Sequence, residues 1–431
     1  MKCLADLLTQ TECHLTPLEV AIRGERIALN SFFLKDSQLA IPVFSPVDSD
    51  YDIADKIASF LPHLASQNRL NRLAVQNTVL GPCSAQRIAI LFSGGPAPGG
   101  HNVVAGLLQL LSPNHTVLGI LGGPGGFSAG EVKELTLADG EAYFNSGGFN
   151  WLGTDRTKLT TPAQIAQVKS FVRDHRLSGL VVIGGDDSNT NAAVLANELI
   201  DLDCTVVGVP KTIDGDVCYR DQLPISFGFD TATKLYSELV GNLMQDAQSV
   251  KKYWHFVKLM GRDTSHVTLE VALQTKPTIT LITEEIIDRK QSLSDIIDYI
   301  VSIIKARYDR NLSYGVIVIP EGLIEHISDD IVHFLTDYND TDFMKSYDDH
   351  GHRALSAVPT EALLGRCVQY ALKESDVVFQ PRYHSFGYEG RCGVPTRFDA
   401  WYAYHLGLTA GALVLGGHTG YMAAFNALPV G

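Results

Sequence analysis

Glycine and charged side chains recur where short apolar runs of this sequence end. Gly94 and Gly95 follow one such run and precede a segment of helical periodicity. Glycine lets backbone N–H groups approach a ligand closely, and the start of the next helix favours negative charge, so this turn can bind a phosphate. A tight strand-to-helix turn without a ligand is the alternative. The cluster matches neither a Walker A loop nor G-x-G-x-x-G.

Two adjacent carboxylates, Asp186 and Asp187, follow a second apolar run. They repel each other unless a cation or a basic side chain lies against them, and Mg²⁺ is the obvious candidate. The alternative is helix capping, in which Asp187 or Ser188 accepts hydrogen bonds from the free backbone N–H groups of the next helix. For Ser188 we expect capping and not catalysis.

A lysine and two further carboxylates follow a third run, in the segment P-K-T-I-D-G-D at residues 210–216. Asp214 and Asp216 are separated by one glycine, so one can address a hydroxyl group and the other a metal ion. Lys211 supplies positive charge for a phosphate. A surface Asp-Gly-Asp turn without chemistry is the alternative reading.

Three weaker clusters complete the pattern. Arg262, in Met260-Gly261-Arg262, stands at a strand-to-helix junction, where a guanidinium can bind a phosphate through two hydrogen bonds. Pro320-Glu321-Gly322 follows another apolar run, and Tyr388-Glu389-Gly390-Arg391 comes later in the chain. Alone, each would also fit an ordinary solvated loop.

The elements that carry these clusters predict an α/β fold. From about residue 87 onward, β-branched runs alternate with segments of helical periodicity, as in a parallel sheet covered by helices. Ligands of such sheets bind beyond the carboxyl ends of the strands, where the clusters fall. The predicted strands are 87–92, 116–121, 179–183, 205–209, 255–259, 278–282 and 314–319. The predicted helices are 162–175, 188–200, 231–247, 265–274 and 293–307.

The length and net charge of the chain limit the classes of protein to which it can belong. At 431 residues the chain exceeds one typical hydrophobic core, so two stacked α/β units are expected. A formal net charge of -14 argues against a general binder of nucleic acid or membrane surfaces, which needs a basic face. Seven cysteines without a C-x-x-C pair fit a reducing compartment, and the apolar runs are too short to span a bilayer. We expect a soluble, cytoplasmic protein.

Three regions are expected along the chain. Residues 1–84 form an N-terminal extension without a chemical motif, whose expected role is packing or dimerisation. Residues 85–250 form a first α/β domain, and residues 251–431 form a second. A polar, acidic stretch at about 323–376 is expected to be a helical insertion into the second domain.

Together, S-G-G-x-A-P-G-G-H-N, G-G-D-D-S-N, P-K-T-I-D-G-D, M-G-R, P-E-G and Y-E-G-R resemble the phosphofructokinase family, specifically its longer pyrophosphate-dependent branch. The resemblance covers about residues 85–425. It implies two stacked Rossmann-like α/β/α domains with parallel-rich sheets. It also implies an Mg²⁺-dependent, reversible transfer of a phosphoryl group from pyrophosphate to the 1-hydroxyl of fructose 6-phosphate, giving fructose 1,6-bisphosphate. The first domain would bind pyrophosphate and Mg²⁺, and the second the sugar phosphate.

The resemblance assigns roles to individual residues. Asp214 would be the general base, Arg156 would bridge the two phosphates, and Glu321 would bind sugar hydroxyls. The implied catalytic residues are Asp214, Lys211, Asp187 and Arg156, and the implied metal ligands are Asp186 and Asp216. The implied substrate-binding residues are Gly94, Gly95, Thr212, Ile213, Lys252, Tyr253, Met260, Gly261, Arg262, Glu321, Tyr388, Glu389, Gly390 and Arg391. Lys252 and Tyr253 would reach into a neighbouring subunit's site, which implies at least a homodimer.

Asp187 and Lys211 distinguish the phosphoryl donor. In ATP-using relatives the matching positions are typically glycines, which leave room for the α-phosphate of the nucleotide. Asp187 would crowd and repel that phosphate, while Lys211 can contact the shorter donor. The resemblance therefore favours pyrophosphate over ATP.

Other functions stay open at this point. Some members of the branch pair an active chain with a degenerate regulatory subunit, although the intact Asp214, Lys211 and Arg262 argue against that reading. An ATP-dependent phosphofructokinase is the second alternative. Lipid and dinucleotide kinases share a G-G-D loop but lack the combined motifs. Longer relatives continue well beyond the position of Gly431, so the C-terminal part of the second domain is expected to be short.

Overall fold

A computed structural model describes residues 25–35, 38–47, 55–66, 72–81, 83–112, 114–219, 222–327, 330 and 359–425. Residues 331–358 of the predicted insertion and residues 1–24 of the N-terminal extension are among those outside these ranges. Across the described residues, no helix combines the length and the apolar character that crossing a bilayer demands.

Strands and helices alternate along most of the described chain. The strands are β1 (Leu34–Lys35), β2 (Gln38–Leu39), β3 (Pro42–Val47), β4 (Arg72–Val79), β5 (Arg87–Ser93), β6 (Thr116–Ile120), β7 (Val132–Leu135), β8 (Gly179–Gly184), β9 (Thr205–Thr212), β10 (Phe227–Gly228), β11 (Trp254–Leu259), β12 (Ile279–Thr280), β13 (Gly315–Pro320), β14 (Pro381–Phe386) and β15 (Tyr421–Met422). The helices are α1 (Asp55–Phe60), α2 (Pro62–Ser66), α3 (Gly100–Leu111), α4 (Gly126–Ala129), α5 (Leu137–Tyr143), α6 (Pro162–Asp174), α7 (Asp186–Glu198), α8 (Phe229–Val250), α9 (His266–Thr275), α10 (Thr283–Asp288), α11 (Leu293–Tyr308), α12 (Thr360–Ala371) and α13 (Arg397–Leu415).

The first sheet has seven strands in the order β10-β9-β8-β5-β6-β7, with β15 also paired to β9. All its pairings are parallel except that of β6 with β7. Every residue of the central strand β8 is buried, because helices cover both faces of a parallel sheet. The sheet therefore gathers the carboxyl ends of β5, β8 and β9 along one edge.

The second sheet has four parallel strands in the order β12-β13-β11-β14. Along β11, one of its two inner strands, alternate side chains enter different cores. Val257 and Leu259 join the core shared with the first sheet, whereas Trp254 and Phe256 pack with α11 and α12 on the opposite face. This alternation is the ordinary period of a strand buried on both faces.

Helix α13 returns the chain to the first sheet. It packs closely on α3, where a Cβ at Gly106 or at Gly407 would overlap a backbone carbonyl of the other helix. After α13, β15 pairs with β9 of the first sheet. The domain division predicted near residue 250 stays a prediction, and the structure adds that residues 397–425 pack with the first sheet.

The described part of the N-terminal extension lies against α13. The backbone N–H of Asn30 donates to His405 Nε2 at 3.0 Å, and Trp401 Nε1 donates to the carbonyl of Ala28 at 3.1 Å. Phe33 is buried in the hydrophobic core that also contains side chains of the first sheet. These contacts are consistent with the packing role expected for the extension.

Candidate active site

A cleft of about 620 Å³ opens beyond the carboxyl ends of β5, β8 and β9 on one side and of β11, β13 and β14 on the other. It brings together most of the site residues predicted from the sequence. Those lining it are Gly94, Gly95, Arg156, Asp186, Asp187, Lys211, Thr212, Ile213, Asp214, Asp216, Met260, Arg262, Glu321, Tyr388, Glu389 and Arg391. Gly261 and Gly390 belong to the turns that form its wall.

The turn after β5 is shaped by glycine and braced by the segment that carries Arg156. Gly94 has a φ of +83°, in the left-handed region that favours glycine. Its N–H donates to the carbonyl of Asp155 at 2.8 Å, and Thr154 Oγ1 donates to the Gly94 carbonyl at 2.8 Å. A Cβ at Gly95 would lie 3.4 Å from the guanidinium carbon of Arg391. The turn thus lies directly against an arginine.

Helix α7 begins with the two adjacent carboxylates. Its N-cap is Gly185, and no side chain caps it. Asp186 and Asp187 occupy the first turn, where the helix dipole favours negative charge. The capping interpretation of Ser188 is wrong: its hydroxyl is buried within the helix and donates to Ser93 Oγ at 2.8 Å, fastening α7 to β5.

Asp187 has a basic neighbour that the sequence reading missed. Its carboxylate lies 3.2 Å from Lys158 Nζ, and its side chain is 71% exposed. Both residues line the cleft. No spacing signal in the sequence connects the two, because Lys158 comes from the segment before α6.

The turn after β9 is held by Thr212. Its hydroxyl donates to Asp216 Oδ1 at 2.8 Å and accepts from the N–H of Asp214 at 3.0 Å. Gly215, with a φ of +75°, reverses the chain between the two carboxylates. The N–H of Val217 also donates to Asp216 Oδ1, at 3.0 Å. Asp214 and Asp216 are therefore fixed on one turn that faces the cleft.

Lys211 and Asp214 both have displaced pKa values. Burial raises the pKa of Asp214 to about 6, and the nearby charges of Asp216 and Glu321 add to the rise. Burial lowers the pKa of Lys211 to about 8, although the charge of Asp214 opposes this change. A carboxylate that titrates near neutral pH is suited to act as a general base. Perturbed groups facing one cleft indicate a functional site.

On the opposite wall, two turns interlock. The N–H of Glu321 donates to the carbonyl of Leu259 at 3.0 Å, and that of Gly322 donates to the carbonyl of Gly261 at 3.2 Å. A Cβ at Gly322 would overlap the carbonyl of Arg262. Glycine at position 322 therefore lets the turn that carries Glu321 close against the turn that carries Arg262.

A buried tyrosine positions the turn after β14. Tyr236, on α8, donates from its hydroxyl to the carbonyl of Gly387 at 2.6 Å. A Cβ at Gly390 would overlap that hydroxyl. The guanidinium carbon of Arg391 lies 4.7 Å from the ring centre of the exposed Tyr388. Tyr236 was missed because a tyrosine at core spacing in a helix carries no separate signal.

Lys258 is a further cleft residue that the sequence reading missed. It is the penultimate residue of β11, and its side chain is only 12% exposed. Its Nζ lies 3.7 Å from Oε2 of Glu361, whose side chain is 8% exposed. A lysine within the apolar run W-H-F-V-K-L was a signal that could have indicated it.

Lys252 and Tyr253 do not line this cleft. They precede β11 and so lie at the opposite end of the strand from Met260. The guanidinium carbon of Arg382 stands 4.1 Å from the ring centre of Tyr253. Their predicted role in a neighbouring subunit stays a prediction.

The predicted metal site is a pair of carboxylates and not a closed cage. Among the residues that the structure describes, no three His, Cys, Asp or Glu side chains form a metal-binding group. Mg²⁺ is commonly held by one or two carboxylates together with substrate phosphates and water. Asp186 and Asp216 line the same cleft and offer hard oxygen donors, so they fit this mode of binding.

Comparisons with known proteins point to one family. A family model described as phosphofructokinase matches residues 87–414. The chain is 39% identical over 426 residues to pyrophosphate–fructose 6-phosphate 1-phosphotransferase subunit beta 2 of Arabidopsis thaliana, covering 89% of this chain and 75% of that one. It is 41% identical over 391 residues to the pyrophosphate–fructose 6-phosphate 1-phosphotransferase of Porphyromonas gingivalis, covering 79% and 71%.

A solved structure shows the same fold. The crystal structure of a pyrophosphate-dependent phosphofructokinase from Nitrosospira multiformis matches with a TM-score of 0.60 at 17% identity, covering 78% of each chain. This likeness confirms the predicted fold class.

Proposed function

This chain belongs to the phosphofructokinase family, and from that premise we propose that it transfers a phosphoryl group from pyrophosphate to fructose 6-phosphate. The observation that carries the proposal is a buried Asp214, whose pKa is raised to about 6, in one cleft with Lys211. A base that is ionised at neutral pH thus lies beside a cation for the donor. The identities of about 40% with phosphotransferases of that name support the choice of substrates.

In the proposed reaction, Asp214 accepts the proton of the sugar 1-hydroxyl as its oxygen attacks the terminal phosphorus of pyrophosphate. A new bond forms between that oxygen and phosphorus, the bridging P–O bond breaks, and orthophosphate leaves. Lys211 and Arg156 neutralise the charge of the donor and of the leaving group. Since the N–H of Gly94 is already bonded to Asp155, backbone binding of pyrophosphate falls to Gly95.

We propose that Asp186 and Asp216 hold Mg²⁺. When bound, this ion would supply positive charge against the phosphoryl oxygens. The structure contributes the two carboxylates, and Asp216 is oriented by its hydrogen bond from Thr212. A matched pair of titrations with and without Mg²⁺, reading pyrophosphate binding by calorimetry, tests this role.

The second sheet supplies the proposed sugar-phosphate site. Arg262 and Arg391 would bind the phosphate of fructose 6-phosphate, and Glu321 would accept hydrogen bonds from its hydroxyl groups. Tyr388 stands at the mouth of the cleft with its ring against Arg391. The interlocked turns around Gly322 support this assignment, because they fix Glu321 and Arg262 relative to each other.

Assembly and location complete the proposal. A homodimer or larger homo-oligomer would bring Lys252 and Tyr253 of one copy to the cleft of another. A cytoplasmic location agrees with the free cysteines among the described residues. Light scattering of the purified chain, with and without fructose 6-phosphate, measures the number of copies in the assembly.

The test is phosphorylation of fructose 6-phosphate with Mg²⁺, offering pyrophosphate and ATP separately. We expect turnover with pyrophosphate only, loss of at least about 100-fold in kcat in Asp214→Asn, and no loss in Asp203→Asn. Asp203 is a matched control because it is an exposed aspartate outside the cleft.

Donor choice is tested by replacing Asp187 and Lys211 together with glycine, which should move the preference toward ATP. Turnover with ATP alone in the unchanged chain would make it an ATP-dependent enzyme. A folded chain that turns over neither donor would instead fit the regulatory-subunit alternative.

A further inference from the structure

Lys258 is a cation on a face of β11 that is otherwise apolar. Side chains at positions 254, 256 and 258 share one face of the strand. Trp254 and Phe256 on that face are fully buried against the core formed with α11 and α12. Lys258 continues the row at the carboxyl end of the strand, where it lines the cleft. A charge therefore stands where the pattern predicts another apolar side chain.

Its partner, Glu361, comes from the first turn of α12. Because α12 leads into β14, which is parallel to β11, the helix runs back along the strands and begins near their carboxyl ends. Glu361 is thereby brought beside Lys258, with 3.7 Å between Oε2 and Nζ. Within the described residues, Oε2 of Glu361 has no hydrogen-bond partner. The positive end of the helix dipole favours its carboxylate.

Stability gives little reason for an ion pair at this position. A nearly buried ion pair is costly to desolvate, and an apolar pair of similar volume is often as stable or more so. The surrounding core already contains apolar side chains that such a pair would extend, including Phe256 and Leu364. The separation of 3.7 Å is also too long for a hydrogen bond. Ligand binding is the explanation that uses the position of Lys258 in the cleft wall.

The ligand is indicated by the neighbours of Lys258. Ser385 on β14 is in register with Lys258, Leu259 follows it on β11, and Met260 comes directly after that strand. All three also line the cleft. These positions lie on the second sheet or directly after one of its strands, whereas Lys211 and the turn at Gly94 and Gly95 belong to the first sheet. An ammonium here is a compact point charge suited to one anionic oxygen.

We propose that Lys258 is a further residue of the sugar-phosphate site, donating from Nζ to a phosphate oxygen of fructose 6-phosphate. Glu361, 3.7 Å away, is the positioning residue that holds this ammonium against the wall of the cleft. The inference rests on the proposed function, since it names a further residue for that substrate. It predicts that changes at Lys258 affect the sugar phosphate and leave pyrophosphate unaffected.

The experiment compares Lys258→Met, Lys258→Arg and Glu361→Gln with the unchanged chain. Lys169→Met is the matched control, because Lys169 pairs with Glu198 at 2.7 Å outside the cleft. Each variant is tested for kcat, for the two KM values, and for fructose 6-phosphate binding by calorimetry without a donor. Thermal unfolding reports whether each variant folds.

The methionine variant should raise both the KM and the Kd of fructose 6-phosphate by about 10-fold to 100-fold, as expected for loss of a charged hydrogen bond. The KM of pyrophosphate should stay within about twofold, and arginine should restore part of the sugar-phosphate affinity by keeping the charge. The glutamine variant should give a smaller rise, of about threefold to tenfold, in the same constants. Lys169→Met should change none of them.

Binding of fructose 6-phosphate that stays within about twofold in a folded Lys258→Met chain refutes the proposal. Equal losses for both substrates, with a lowered unfolding temperature, also refute it by assigning Lys258 a structural role. Failure of the proposed function looks different, because then the unchanged chain itself does not turn over pyrophosphate. Calorimetry with fructose 6-phosphate alone still tests Lys258 in that case.

Discussion

The fall in rate on the alkaline side of the pH–rate profile, its alkaline limb, should reflect the deprotonation of Lys211. Burial lowers its pKa to about 8, so about nine tenths of the lysine is protonated at pH 7 and about one tenth at pH 9. If the ammonium binds the donor, kcat/KM for pyrophosphate should fall about tenfold between these two pH values. In Lys211→Arg the cation persists well above pH 9, so that fall should disappear.

The measurement is the initial rate at low pyrophosphate between pH 5 and pH 10, for the unchanged chain and for Lys211→Arg. The substrates titrate identically in both assays, so a difference in the shape of the two profiles belongs to residue 211. The height of the arginine profile does not matter, because a bulkier guanidinium can lower the rate at every pH. An alkaline limb of the same size and midpoint in both proteins would refute the assignment.

The acid limb should follow Asp214 in the opposite sense. Because the pKa of Asp214 is about 6, its carboxylate becomes protonated below that pH and can no longer accept a proton. The value of kcat/KM should therefore fall about tenfold between pH 7 and pH 5. The charge of Glu321 contributes to the raised pKa. Glu321→Gln should therefore move the acid limb to lower pH, and an unmoved limb would contradict the assignment to Asp214.

Three further predictions concern residues that support the site and the fold. Gly390→Ala, whose Cβ would overlap the Tyr236 hydroxyl, should raise the KM of fructose 6-phosphate about 10-fold to 100-fold in initial-rate assays. An unchanged KM would contradict the packing described. Ser188→Ala removes the hydrogen bond to Ser93 and should cost about 1–2 kcal/mol in denaturant unfolding, with no loss expected if that bond does not form. His405 has a pKa lowered to about 4 by burial, whereas an unfolded histidine titrates near 6.5. The unfolded chain therefore binds more protons between these values, so stability should fall as the pH drops from about 6.5 to about 4, by up to about 3 kcal/mol. His405→Gln should lose this part of the pH dependence of the unfolding temperature, and an identical dependence would contradict it.

The central strands could be predicted closely because a strand that is buried on both faces has a continuous apolar sequence. β5, β8 and β9 are continuous apolar, β-branched runs, and each was predicted to start at the residue where it does. β14 was missed because it is an edge strand, and its sequence P-R-Y-H-S-F is polar and partly exposed. A strand of that kind cannot be told from a loop by hydropathy alone.

The return of α13 to the first sheet could not be predicted either. Nearly every residue from Asp399 to Leu415 is buried, so the helix has no polar face to show which side contacts solvent. Its contact with α3 depends on close approach at Gly106 and Gly407. Two glycines far apart in sequence do not indicate that they meet.

Convergence of the motif residues could be predicted, but their supporting contacts could not. Parallel strands place all their carboxyl ends on one edge, so clusters such as those at Asp186 and Asp214 must lie near each other. Tyr236 and Lys258 join the site only through three-dimensional packing. A lone tyrosine in a helix or a lone lysine in a strand has many ordinary uses, and only the contacts select one.

The return of residues 397–425 to the first sheet also affects how the chain can fold during synthesis. The N–H of Val206, in β9, donates to Thr419 Oγ1, a partner 213 residues further along the chain. At about 5–20 residues per second, the stretch between β9 and β15 takes roughly 10–40 s to emerge from a ribosome. During that time, part of the edge of β9 lacks its partner strand, and an open strand edge is a template for pairing with other chains. We therefore expect nascent chains stalled before residue 419 to associate with one another, whereas longer ones have this edge covered.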